Sequence, residues 1–151
     1  MGHLLWTKEL DTGIEVIDSQ HRRIVDYINK LYDARLKKDI KAINDIIEGT
    51  VDYTMSHLSF EEALLEDAGY EFVRPHKKVH ELFVRRVSEF QTRSKMGEDI
   101  SEDLHNLLAR WLFNHINNDD AAYVQSVKKY MQSVNSEKKK RGWLTKFFGS
   151  N

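Results

Sequence analysis

A chain of 151 residues is one domain by length, long enough to bury a sizeable core, and its 40 % hydrophobic and 31 % charged residues suit a soluble globular fold. No cysteine excludes disulfides and thiolate metal ligands, and no apolar run approaches the 20 residues of a membrane span. Residues 137–151 carry +4 of the net charge of −1, which leaves −5 on the rest and argues against nucleic acid as the main partner.

The opening residues, MGHLLWTKEL, hold too short an apolar run for a signal peptide, and Trp6 stands where a myristoylation signal needs Ser or Thr. A cytoplasmic location is therefore expected. About 17 residues read as an extended arm, with Trp6, Leu10, Ile14 and Ile17 available to pack. A single proline and long 3.6-residue periodicities then predict four helices. The first spans about Ser19 to Lys38, capped by Asp18 or Ser19, with the stripe Ile17, His21, Ile24, Ile28, Leu31. The second runs from a cap at Asp39 to Ala68, where Gly69 supplies the stop. Its stripe is Ile43, Ile47, Thr50, Thr54, His57, Glu61, and Gly49 costs ~1 kcal/mol unless a close contact uses it.

Pro75 suits the first turn of the third helix, which ends near Met96 and Gly97 and carries His76, His80, Phe83, Val87 and Phe90 on one face. The fourth starts after Asp99 or Ser101 and continues to about Asn135. It holds two seams that do not share one ideal helix: Leu104, Leu108, Trp111, His115, and then Asp120, Tyr123, Val127, Tyr130, Val134. One extra residue absorbed at Ile116–Asp119, by a π-bulge or a break, lets both face the core. Short connections predict an all-α, antiparallel up-down-up-down four-helix bundle over residues 1–136, preceded by the arm and followed by a basic, aromatic tail over residues 137–151.

Each of the four helices thus turns histidine inward. Burying one unpartnered polar group costs roughly 2–7 kcal/mol, and an ionised carboxylate costs more. Five histidines and two carboxylates on facing seams need something that satisfies them jointly. Cations do so, and two metals bridged by Glu61 and Asp120 fit seven donors better than one. His3 and His105 lie off the pattern and read as surface residues.

These motifs resemble those of the hemerythrin family, in particular its single-domain bacterial members: His21 in IDSQH, HxxxE at His57 and Glu61, HxxxH at His76 and His80, and His115 with Asp120 in HINNDD. The resemblance covers residues 6 to about 131 and departs at no ligand position. It implies a non-haem di-iron centre, oxo- or hydroxo-bridged, that binds O2 reversibly. One iron would take His76, His80 and His115, the other His21 and His57, with Glu61 and Asp120 bridging. The second iron is then one ligand short, which is where O2 would bind. Ile24, Leu58, Trp111 and Ile116 would wall that position with apolar side chains. Five histidines lean away from the alternative of a di-iron peroxidase or oxidase, and a sensory docking module would have to signal by contact. In the tail, Lys138, Lys139, Lys140 and Arg141 precede Trp143, Leu144, Phe147 and Phe148, the composition of a segment that meets a membrane surface or a protein groove.

Overall fold

The computed structural model describes residues 3–148, with Asp119 and residues 138–148 described by backbone alone. Five α-helices occur among the described residues: α1 (Glu15–Leu36), α2 (Ile40–Asp67), α3 (Val73–Lys95), α4 (Ser101–Asn114) and α5 (Ala121–Phe148). A six-residue π-helical segment, His115–Asp120, joins α4 to α5. The backbone stays right-handed helical on both sides of it, and Ala121 N–H bonds to Ile116 C=O, five residues back. The extra residue expected between the two seams is absorbed there, so α4, the π segment and α5 act as the fourth member of a four-helix bundle. Asp120, Tyr123 and Val127 consequently turn inward and are fully buried, while Tyr130 and Val134 are only half-buried.

Helix ends follow local chemistry. Asp39 caps α2 by accepting from Ala42 N–H. At the other end of α2, Gly69 takes φ +67°, with Gly69 N–H on Glu66 C=O and Tyr70 N–H on Leu65 C=O. The same paired bonds close α1 at Lys38, a non-glycine residue at φ +53°. α1 begins earlier than the sequence suggests, because Ile14 C=O already accepts from Ile17 and Asp18 N–H. Asp18 is therefore not the cap. Its buried carboxylate folds back to accept from Thr12 N–H, Thr12 O–H and Gly13 N–H, which ties the arm to the first turn of α1.

α1 packs on α2 and α4, and α2 on α3 and α5, the short turns between the four bundle members returning the chain each time. The arm lies along α1, where Leu4 and Asn29 exchange two hydrogen bonds and the arm carries a short 3-10 turn at Lys8–Leu10. Leu10 and Ile14 are buried and Trp6 is half-buried. Two apolar clusters form the core. One contains Ile24, Ile28, Leu31, Phe83, Leu104 and Leu108; the other contains Ile14, Ile17, Leu65, Tyr123 and Val127. Along each helix the inward histidines and carboxylates fall between the two. No helix among the described residues is long and apolar enough to cross a membrane.

The placement of His105 fails as well. His3 is exposed, bonded to Asp33 at 2.6 Å, but His105 is buried at 1 % exposure against Tyr32. The buried face of α4 is wider than a single stripe: Ser101 and Leu104 share it with His105, Leu108 and Ala109. His105 is thus a core residue, far along α4 from His115.

Candidate metal centre

All seven residues picked from the seams converge on one point of the core, and each is at most 5 % exposed. His21 comes from α1, His57 and Glu61 from α2, and His76 and His80 from α3. His115 and Asp120 are the first and last residues of the π segment. Two overlapping donor groups result. His21, His57, Glu61 and His115 offer ligand atoms within 4.8 Å of one another, and so do Glu61, His76, His80 and His115.

The two carboxylates span these groups. Oε1 of Glu61 lies 2.6 Å from His76 Nε2 and 3.1 Å from His80 Nε2. Its Oε2 lies 3.5 Å from His57 Nε2. Asp120 divides likewise, with Oδ2 at 3.0 Å from His21 Nε2 and Oδ1 at 3.0 Å from His115 Nε2. Proximity is not pairing here. The Nε2 atoms of His21, His57 and His80 are buried without an aligned hydrogen bond, although a carboxylate oxygen is within 3.5 Å of each. Lone pairs and oxygens that crowd together without facing one another are the arrangement of donors around a shared cation. The donor set therefore fits hard or borderline cations held by nitrogen and oxygen.

Electrostatics agree. Burial, then the neighbouring rings of His57 and His115, lowers the pKa of His21 to about 2. Burial likewise lowers that of His57 to about 4, against the attraction of Glu61. Burial alone would raise the Glu61 carboxyl, but the attraction of His115 and the close polar contacts of His115, His76 and His80 hold it well below its usual range. Two imidazoles are thus kept neutral beside an ionised carboxylate, the protonation states in which these side chains bind metal.

The expected wall residues belong to the larger apolar cluster: Ile24, Leu58 and Ile116 are buried, and half-buried Trp111 packs against them. The Trp111 ring stacks on His115 with centroids 4.6 Å apart, and on Phe83 at 3.9 Å. Three polar contacts escaped the sequence reading. Tyr123 O–H donates to Glu61 Oε2 at 3.1 Å. His57 Nδ1–H donates to Gln20 Oε1 at 2.6 Å, and His80 Nδ1–H donates to Glu62 Oε1 at 3.2 Å. Tyr123 stands on the expected seam, but seam position alone gives its hydroxyl no partner. Gln20 and Glu62 stand one residue from a seam position, so stripe logic directs them away from the core.

The sequence matches the Hemerythrin HHE cation binding domain family over residues 12–127. It is 55 % identical over 153 positions to a bacteriohemerythrin of Pseudomonas aeruginosa, covering 99 % of this chain and 100 % of that one. A Stenotrophomonas maltophilia bacteriohemerythrin is 47 % identical with the same coverage. Among solved structures, a crystal structure of a hemerythrin variant superposes with a TM-score of 0.79 at 27 % identity, covering 84 % of this chain and 98 % of that one. With the family domain spanning the layer of inward histidines and carboxylates, this chain belongs to the hemerythrin family.

Proposed function

We propose that the protein binds O2 reversibly at a non-haem di-iron centre, as a carrier or buffer and not as an enzyme. The observation that carries this reading is the bridging place of both carboxylates: Asp120 divides between His21 and His115, and Glu61 turns Oε1 to His76 and His80 and Oε2 toward His57, with His115 at 3.3 Å from both oxygens. His76, His80 and His115 would hold one iron, His21 and His57 the other, and Glu61 and Asp120 would bridge them. Bound there, two irons would supply the electrons that O2 takes up on binding and returns on release.

The protein's part is to orient and to exclude. Three histidines for one metal and two for the other would leave the second position the more open one. Ile24, Leu58 and Ile116 present aliphatic surface, and Trp111 lies flat on His115. None of the four has a side chain that ionises, so the wall admits little water and supplies no acid to drive the chemistry forward. Tyr123 holds Glu61 from the opposite side of the layer.

Anaerobically reduced protein should gain a visible spectrum on exposure to air and lose it under vacuum, over repeated cycles. A spectrum that develops once and decays to an oxidised form, with O2 consumed, would identify an oxidase or peroxidase instead.

The tail carries a second role in this reading. The α5 backbone continues to Phe148, while the side chains of residues 138–148 lie outside the described ones. Four consecutive basic residues followed by Trp143, Leu144, Phe147 and Phe148 suit peripheral attachment of a cytoplasmic protein to an anionic membrane surface, with a protein groove as the alternative dock.

A further inference from the structure

Two histidines of the layer are gripped from behind, and not equally. His57 Nδ1–H donates to the amide carbonyl of Gln20 at 2.6 Å, whereas His80 Nδ1–H donates to the carboxylate of Glu62 at 3.2 Å. In both rings the opposite nitrogen, Nε2, lies on the Glu61 side, 3.5 Å from that carboxylate in His57 and 3.1 Å in His80. A proton held on Nδ1 leaves the lone pair on Nε2, the tautomer that binds a cation from that side.

The two grips share a plan. Gln20 precedes His21 in the chain, yet reaches from α1 to a histidine of α2. Glu62 follows Glu61, yet reaches from α2 to a histidine of α3. Each grip thus comes from a residue next to one donor and steadies a donor on the neighbouring helix. The Glu62 side chain is 29 % exposed, on a cleft of about 610 Å³ between α2 and α3 that also touches Leu58, Ser59 and His80. A carboxylate there keeps part of its hydration, so its charge costs little.

We propose that Gln20 and Glu62 are positioning residues, one for each metal position, and that amide against carboxylate makes the two positions unequal. An imidazole that donates to a carboxylate is the more basic ligand, whereas an amide orients the ring without adding charge. The position served by His80 is then the stronger cation site, and that served by His57 the weaker. This rests on the two-metal reading of the layer.

The test uses the full chain freed of metal and titrated with Co(II) alone, followed by visible absorption. Wild type should bind two ions in sequence. Glu62→Leu should weaken the tighter event by about 10- to 100-fold and leave the weaker one alone, and Gln20→Leu should do the converse. Glu62→Gln keeps a carbonyl acceptor but not the charge, so it should restore part of the lost affinity and bring the two binding events closer together. A second readout needs no metal: ¹⁵N NMR of the imidazoles should place the His80 proton on Nδ1 in wild type and Glu62→Gln, and release it in Glu62→Leu. Unchanged cobalt affinities, an equal loss at both events, or loss confined to the weaker event in Glu62→Leu would overturn the proposal. One cobalt per wild-type chain would refute the two-metal reading and the claimed inequality. The NMR tautomers would still decide whether Glu62 and Gln20 orient their rings.

Discussion

Tyr123→Phe removes one oxygen from a side chain with no exposed surface, and that oxygen is the donor to Glu61 Oε2. The ring stays, packed 5.5 Å from His76 and 6.2 Å from Tyr70, so little space opens. What is lost is a hydrogen bond to an ionised buried acceptor, worth about 1.5–3 kcal/mol. Glu61 keeps its contacts with His57, His76, His80 and His115, so the loss should sit near the lower end, at about 1.5–2 kcal/mol. For a chain of this size that is a fall in Tm of about 3–8 °C. Urea and thermal unfolding of the metal-free protein would read it directly. The same substitution in metal-loaded protein should cost less, because cations then satisfy the carboxylate. Equal stability of variant and wild type within about 0.5 kcal/mol in the metal-free form, or a loss seen only with metal bound, would refute this account of Tyr123.

Other outcomes follow from the same geometry. Glu61→Ala or Asp120→Ala should lower iron bound per chain well below that of His3→Ala or His105→Ala, as measured by metal analysis. His105→Ala should still lose stability, because it empties a buried place beside Tyr32. Leu58→Ser and Trp111→Ala should retain iron but hasten decay of the oxygenated spectrum, and unchanged decay in both would mean that neither shields the site. Metal-free protein should weaken as pH falls below about 6.5. His21 and His57 stay neutral when folded, down to about pH 2 and about pH 4, but take up protons when unfolded. Each then costs roughly 1.4 kcal/mol per pH unit over that window. Glu61, depressed when folded, adds a loss of the same sign at lower pH. A urea midpoint at pH 5 equal to or above that at pH 7 would contradict this. Full-length protein should co-sediment with anionic vesicles at low salt while a 1–136 truncation stays in solution, and equal partitioning would end the membrane reading of the tail.

Much of this layer could be read along the chain because helical spacing is strict. A histidine three or four residues from buried leucines and isoleucines has to face the same core, which is how His21, His57, His76, His80 and His115 were placed together. The mismatch of five residues between His115 and Asp120 likewise required a defect, and the π segment supplies it. What stayed hidden depends on side-chain reach and on the width of a buried face. Gln20 and Glu62 sit beside the seams and bend inward across a helix boundary, which no period describes. Asp18 looked like a cap because Asp so often is one, yet the chain turns helical before it and uses the carboxylate to hold the arm. His105 was misplaced because α4 buries adjacent positions 104 and 105 together.

The central claim is tested most directly by gas uptake on fully reduced protein of known iron content. The account predicts one O2 taken up per chain and per two irons, and released again intact when the gas phase is evacuated. Uptake that cannot be reversed, or a single metal ion per chain, would contradict it.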